Sequence, residues 1–171
     1  MVDDIHARFN ITIDVALSVD DDMMRIYHRE AADTLTYKLP DFTRNCLHTT
    51  ALGKAYLASL PELELRARVA TLDLSPRTKH TITQRSALLE ELLDAKRNGY
   101  AMNVEEYLPG LIAIAAPLIH PFTGRGVGGV SFDFSVLQRR PEEVVEQYAP
   151  LVIDLAERLS AAIPLDDRQR G

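Results

Sequence analysis

The fold is indicated by the run LHTTALGKA at residues 47–55, where a loop enters a helix. Thr49 or Thr50 can serve as the N-cap, because a threonine hydroxyl accepts a hydrogen bond from a backbone amide two or three residues further on. The amides of residues 51–53 are then free donors at the positive end of the helix dipole. Small residues at this turn let a ligand oxygen approach the backbone closely. The run therefore predicts a helix terminus that accepts a carboxylate or another anion.

Length, charge and cysteine content restrict the class of protein. The chain has 171 residues, enough for one domain with a sizeable core, and no leader or membrane-length apolar stretch is evident. Its net charge of −6 and dispersed basic residues argue against direct binding to a nucleic-acid backbone. The single Cys46 excludes an internal disulfide and fits a reducing compartment. We expect a cytoplasmic protein that contacts neither membrane nor, through this chain, DNA.

Apolar periodicity predicts strands at both ends of the chain. Residues 9–19 alternate polar and apolar side chains, which is typical of a half-buried strand. Three aspartates at 20–22 predict a turn into a second strand at 23–29, and 35–39 is a candidate third. Later strands are expected at 100–103, 111–119 and 126–134, the last two joined as a hairpin.

Helix signals lie between these strands and after them. The first helix is expected from the threonine cap to about Ser59, and a second begins near Pro61. A third is expected over 83–98, with Thr81-x-x-Gln84 as a capping box and Gly99 as its left-handed stop. A closing helix covers about 141–163, with Pro150 bending or splitting it. Strands, then helices, then a hairpin and a closing helix predict an α+β layer fold.

Four blocks resemble the IclR family of bacterial transcription regulators, in that family's order and spacing. They are LHTTALGKA at 47–55, GYAMNVEEYLPG at 99–110, LIAIAAPL at 111–118 and VGGVSFD at 127–133. The resemblance extends over roughly residues 47–163. It implies a GAF/PAS-like antiparallel sheet flanked by helices, forming a single effector-binding domain over 1–171 with its core at about 9–163. The winged helix-turn-helix that precedes this domain in the family is absent from the chain.

The resemblance also implies an effector pocket between the first helix and the late strands. The positions that it assigns to effector binding are Ala51, Leu52, Gly53, Asn103, Leu111, Ala113, Ser131 and Asp133. Four positions depart from the family's usual pattern. Ala113 replaces a cysteine, Ile112 an arginine, Asn103 an aspartate and Asp133 a serine.

Asp133 bears most directly on the chemistry of the ligand. If ionised, it would repel a small carboxylate held by the helix amides. It would instead accept a hydroxyl or amino hydrogen from the ligand, or pair with Lys54 or an arginine. The expected effector is therefore larger or more hydroxylated than a minimal keto acid: an organic acid or a hydroxylated or aromatic metabolite. The alternative is a carboxylate tied to local backbone or to a basic side chain.

His48 and Cys46 are the remaining candidates for chemistry. His48 could hydrogen-bond the ligand, and the simpler interpretation is that it orders the loop before the helix. Cys46 and His48 could form half of a metal site, but the other histidines lack ligand spacing, so no metal or cofactor is expected. The same two residues, two apart on an extended segment, do not face each other as nucleophile and base. An enzyme is therefore not expected.

The expected function is that of an effector-binding and oligomerisation domain of an IclR-type regulator. The resemblance implies a homodimer or homotetramer, with DNA bound only through the absent N-terminal domain. One alternative is a free-standing GAF-like sensor that acts on a protein partner. Another is a small hydrolase or isomerase.

Overall fold

A six-stranded antiparallel sheet forms the centre of the structure, a computed structural model that describes residues 1–20, 22–37, 42–43 and 46–164. In chain order the elements are α1 (Val2–Phe9), β1 (Thr12–Val19), β2 (Asp22–Arg29), β3 (Phe42–Thr43), α2 (Ala51–Ser59), α3 (Glu62–Thr71), α4 (Arg85–Asn98), β4 (Ala101–Val104), β5 (Leu111–Ile119), β6 (Gly126–Ser135) and α5 (Pro141–Ala161). The strand order is β3-β2-β1-β6-β5-β4, so β1 and β6 lie side by side in the middle of the sheet. The predicted α+β class, an antiparallel sheet flanked by helices, is confirmed.

The two faces of the sheet are covered by different helices. Ile13, Ile114 and Phe132 lie on one face and are fully buried in the cluster that α5 completes. Tyr148 of α5 meets the ring of Phe132 edge-on, with 6.4 Å between ring centroids. Helix α2 packs on the opposite face against β5 and β6, and α4 packs against α2. Alternation along the strands thus gives one aromatic and aliphatic layer under α5 and one smaller-residue layer under α2.

Helix α2 lies close to the sheet because its contact residues are small. Ala51, Ala55 and Ala58 are buried together with alanines of the late strands. Gly53 faces the loop before the helix, where a Cβ atom would lie 2.4 Å from the Cα of Leu47. No side chain fits at that position. This packing holds the N-terminus of α2 against the middle of the sheet.

The N-terminal segment differs from the prediction. Residues 2–9 form α1, a helix that was not predicted, and Asn10 ends it in the left-handed conformation at φ 48°. Strand β1 therefore begins at Thr12 rather than at residue 9. Its first five residues are buried on both faces, not half-buried, because β1 is a central strand with α5 on one side and the layer beneath α2 on the other.

Two further predictions need correction. Residues 35–37 form no strand, positions 38 and 39 lie outside the described residues, and the short third strand is β3. The third predicted helix begins at Arg85, and Gln84 caps it without a side-chain hydrogen bond. Thr81 does not cap it, because its Oγ1 accepts from the amides of residues 77 and 78 and donates to the carbonyl of Glu106.

The starts of the other helices agree with the prediction, but Pro150 does not split α5. Thr50 caps α2, Pro61 stands immediately before α3, and Gly99 ends α4 at φ 80°. Helix α5 runs through Pro150 as one helix to Ala161. Residues 165–171, predicted as a frayed tail, lie outside the described residues. Within the described ranges, none of the helices combines the length and apolar character that crossing a bilayer requires.

Candidate functional site

A cavity of about 40 Å³ lies between the N-terminus of α2 and the sheet. Seven of the eight residues assigned to effector binding border it: Ala51, Leu52, Asn103, Leu111, Ala113, Ser131 and Asp133. Three residues that were not predicted complete its wall: Met23, Thr50 and Tyr107. The fold therefore brings together residues that lie more than eighty positions apart along the chain. Their binding role stays a prediction.

The terminus of α2 supplies backbone donors. The Oγ1 atom of Thr50 accepts a hydrogen bond of 3.1 Å from the amide of Gly53 and donates one of 3.0 Å to the carbonyl of Cys46. Gly53 is thus engaged with its own cap, and it faces Leu47 rather than the cavity. The predicted free amide at this position is wrong. The amides of Ala51 and Leu52 remain as the helix-terminal donors beside the cavity.

Asn103 presents a donor, because its acceptor is already committed. Its Oδ1 atom accepts a hydrogen bond of 2.9 Å from the backbone amide of Glu106. This contact orients the side-chain amide and leaves Nδ2 as the group that Asn103 can offer to a ligand. The side chain is 1% exposed, so any ligand contact there is made out of bulk water.

Lys54 does not pair with Asp133, contrary to one of the expectations. It is completely buried on α2, and its Nζ atom contacts Glu106 at 2.6 and 2.7 Å, the carboxylate of Glu91 on α4, and the carbonyl of Met102. Burial raises the pKa of Glu106, and the ammonium group of Lys54 opposes that shift. This ion cluster, Lys54 with Glu91 and Glu106, joins α2, α4 and the β4–β5 loop.

Asp133 lies at the sheet end of the cavity in an environment that favours its acid form. Burial and the negative charge of Asp14 on β1 raise the pKa of Asp133 well above its usual value. Ser131 donates a hydrogen bond of 3.3 Å to Asp133 Oδ1 and only partly opposes the shift. These effects oppose ionisation of Asp133, the condition on which the expected repulsion of a small carboxylate depends.

The loop before α2 uses its polar side chains for local order. His48 is 1% exposed and lies outside the cavity wall, and its Nε2 atom is 3.2 Å from the carbonyl of Ser75. Burial lowers the pKa of His48, which favours the neutral ring. Burial also raises the pKa of the Cys46 thiol, whose Sγ atom accepts a hydrogen bond from Arg77. The contact of His48 with Ser75 fits the loop-ordering interpretation of that residue.

In the described part of the chain, no three metal-ligating side chains converge. Tyr107 and Met23, two of the three wall residues that were not predicted, come from the β4–β5 loop and from β2. The guanidinium of Arg77 lies over the Tyr107 ring, 5.5 Å from its centroid. The sequence carried a signal only for Met23, which a strand pairing with β1 would have placed on the cavity face.

Comparison with known proteins identifies relatives along nearly the whole chain. The family model described as "Bacterial transcriptional regulator IclR C-terminal" matches residues 1–161. The HTH-type transcriptional regulator BhcR of Paracoccus denitrificans is 31% identical over 149 residues, covering 87% of this chain and 53% of BhcR. The chain thus spans about half the length of this curated relative.

Solved structures show the same fold. IclR of Thermotoga maritima superposes with a TM-score of 0.83 at 29% identity, covering 94% of this chain and 64% of that one. A double mutant of the PobR inducer-binding domain from Acinetobacter, in complex with 3-hydroxybenzoic acid, superposes with a TM-score of 0.78 and covers 91% of both chains. At 21% identity, the likeness to PobR concerns the fold alone.

Proposed function

This chain belongs to the IclR family of bacterial transcriptional regulators as a C-terminal effector-binding domain, and we propose that the cavity beside α2 is its effector site. One observation carries the proposal. Seven residues that the family's motifs mark for effector binding, drawn from a helix terminus and three strands, border a single cavity.

The chemistry of the cavity favours an organic acid or a hydroxylated aromatic metabolite. Donors come from the amides of Ala51 and Leu52 and from Asn103 Nδ2, and the positive end of the α2 dipole adds to them. Leu111 and Ala113 supply apolar wall. An inducer-binding domain of the same fold, that of PobR, has been solved with 3-hydroxybenzoic acid, a ligand of this class.

The size of the cavity supports a conformational response. A volume of about 40 Å³ holds a few water molecules, so a metabolite must displace side chains such as Met23, Leu52 or Tyr107. Binding then favours an expanded arrangement by differential affinity. This shift reaches DNA through a winged helix-turn-helix N-terminal to the domain, and a homodimer or homotetramer of such domains transmits it.

A thermal-shift and calorimetry screen tests the site. The probes are 3-hydroxybenzoate, pyruvate, glyoxylate and sugar acids. A ligand at one hundred times its Kd adds about 2.7 kcal/mol to the free energy of unfolding. We expect Leu52→Trp, which fills the cavity, to abolish the stabilisation. Leu63→Trp, at a position on α3 that is 83% exposed, is the matched control and keeps it. Equal stabilisation of both variants would place the ligand elsewhere.

A further inference from the structure

A second cavity, of about 360 Å³, lies at the end of the sheet. Residues from the end of α1, the segment after β2, the end of β6 and α5 border it. Among the described residues, Asp133 is the one that borders both this cavity and the cavity beside α2. Clefts that hold small-molecule ligands have volumes of roughly 300–1,000 Å³. The second cavity therefore has room for a ligand without the displacement that the smaller cavity requires.

One wall of the second cavity is fixed by hydrogen bonds between the end of α1 and the segment after β2. Asn10 Nδ2 donates a hydrogen bond of 2.8 Å to the carbonyl of Ala32, and Asn10 Oδ1 accepts one of 2.8 Å from the amide of the same residue. The amide of Ala31 donates one of 3.1 Å to Thr12 Oγ1. A wall that is held in this way is formed before a ligand arrives, as is usual for ligand sites.

Three aromatic rings give the second cavity an apolar surface. The ring centroids of Phe134 and Tyr148 are 4.7 Å apart, and Phe9 meets Tyr148 edge-on at 6.3 Å. All three residues border the cavity, and Phe9 is 37% exposed. Aromatic rings attract one another in offset and edge-on arrangements of this kind. The cavity therefore favours a ligand with a flat aromatic body.

Tyr148 also supplies a polar group that has no partner. Its side chain is 5% exposed, yet its hydroxyl makes no hydrogen bond with any described residue. The oxygen is not sealed from the surroundings, so a molecule in the cavity can reach it. Since a buried tyrosine hydroxyl usually has a hydrogen-bond partner, this one is available to a ligand as donor or acceptor.

Arg139 gives the border of the second cavity a positive charge. It lies between β6 and α5, and its side chain makes no ion pair or hydrogen bond with the described residues. The next residue, Arg140, is instead paired with Glu143 at 2.9 Å and does not border the cavity. A guanidinium group matches the two oxygens of a carboxylate. An exposed arginine alone is ordinary, but this one adjoins an aromatic cavity with an unpaired hydroxyl.

We propose that the second cavity binds a hydroxylated aromatic carboxylate, with the carboxylate on Arg139 and the ring against Phe134 and Tyr148. The hydroxyl of the ligand pairs with that of Tyr148. Asp133 accepts a hydrogen bond from Ser131, and its carboxyl group keeps the anionic end of the ligand at Arg139. This site is separate from the proposed effector site beside α2, and the inference does not rest on it.

Methyl NMR of protein labelled at alanine locates the ligand. Ala31 borders the second cavity, whereas Ala113 borders the cavity beside α2. The probe is 6-hydroxy-2-naphthoate, taken to millimolar concentration. We expect its titration to shift the Ala31 signal in a saturable way. The same shift is expected in Leu52→Trp, in which the cavity beside α2 is filled.

A matched pair of probes tests the polar groups, with Kd values taken from the Ala31 shift. The amide 6-hydroxy-2-naphthamide has the shape of the acid but no charge. We expect the acid to bind about two- to fivefold more tightly, the range of an exposed ion pair. Arg139→Gln is expected to remove this preference, and the matched control Arg140→Gln to keep it.

Tyr148→Phe tests the hydroxyl. We expect it to weaken binding of both probes about two- to tenfold, because one hydrogen bond is lost. The variant keeps the ring contacts with Phe132 and Phe134 and therefore the fold, which circular dichroism verifies.

The outcomes separate the second site from the effector site. The inference is wrong if Ala31 does not shift, if Arg139→Gln keeps the preference for the acid, or if Tyr148→Phe binds as the wild type does. A shift of Ala113 alone places the acid beside α2, which overturns the inference and supports the proposed function. A shift of Ala31 that persists in Leu52→Trp supports the second site even when no probe of the thermal-shift screen binds beside α2.

Discussion

At the scale of single residues, Lys54 is a side chain whose substitution is expected to cost much stability. It is completely buried on α2. Its ammonium group is satisfied by two carboxylates and a carbonyl oxygen. A buried ion pair adds little net stability compared with apolar side chains at both positions. Removing only one of its two partners, however, leaves an uncompensated buried charge. The ion cluster thus ties α2 to the β4–β5 loop that carries Tyr107.

We expect Lys54→Met to lower the free energy of unfolding by about 3–5 kcal/mol at pH 7. The cause is the carboxylate of Glu106, which stays buried without its cation. Urea denaturation measures the loss. The double variant Lys54→Met/Glu106→Gln is expected to recover part of it, because the amide carries no charge. A loss below about 1 kcal/mol in the single variant would show that water reaches Glu106.

Single residues also show which contacts could not be predicted from the sequence. The positions of the residues at the α2 terminus and on the late strands could be predicted, because they belong to recognisable local sequence motifs. The place of Asp14 could not, since nothing in its own surroundings along the chain indicates that its strand pairs with the strand of Asp133. The same holds for Lys54, whose partners lie on α4 and in the β4–β5 loop. Contacts formed across the sheet or between helices have no local signature.

At the scale of elements, most helices and strands followed from periodicity and from caps. Helix α1 was missed although Val2, Ile5 and Phe9 recur at helical spacing, because no capping side chain marks the start of this short segment. The capping box at Thr81 was wrong because tertiary contacts with the β4–β5 loop engage that hydroxyl. Local rules thus failed where a distant segment offered the same group a better partner.

Pro150 is an element-scale test of stability. It sits on the exposed side of α5, where it lacks the amide that would donate to the carbonyl of Glu146. We expect Pro150→Ala to raise the free energy of unfolding by about 1–3 kcal/mol, since an interior proline costs a helix about 3 kcal/mol relative to alanine. Chemical denaturation measures it. Pro141→Ala, at the first position of the same helix, is expected to bring no gain. Destabilisation by Pro150→Ala would mean that the proline shapes α5 to the sheet.

For the whole molecule, the class of fold and the order of its elements were predictable, because alternating strands and a closing helix restrict the architecture. The pairing of β1 with β6 was not, since many strand orders satisfy the same pattern. The small volume of the cavity could not be predicted either. It depends on how Met23, Leu52 and Tyr107 fill the space between helix and sheet.

The pH dependence of stability is a property of the whole molecule. The pKa values of Asp133 and Glu106 are both raised in the folded state, so their folded forms bind a proton more tightly than the unfolded chain does. Their contribution is complete below the unfolded pKa values, near 4, and is lost as pH rises through the raised folded values. The carboxyls with lowered pKa, Asp4, Asp73 and Glu143, are on the surface and offset little.

The lowered pKa of His48 acts in the opposite direction, because the unfolded chain binds that proton more tightly than the buried ring does. We expect the two raised carboxyl groups to outweigh this single ring, so that the wild-type protein unfolds at a higher urea concentration at pH 5 than at pH 7.5. The net charge of −6 acts in the same direction, because protonation relieves self-repulsion. The Asp133→Asn variant is expected to show a smaller difference between the two pH values. Greater stability of the wild type at pH 7.5 would contradict the raised pKa values.

The β1–β6 pairing also determines when, during synthesis, the sheet can be completed. Thr12 emerges from the ribosome well before its partner Asp133, which lies 121 residues further along the chain. Closing so long a loop is entropically costly, and non-local pairing of this kind slows folding. Until then the β1–β2 hairpin has an open edge, which is exposed to pairing with other chains. The middle of the sheet is thus its last part to be completed, and the cavity beside α2 forms only after β6 has paired with β1.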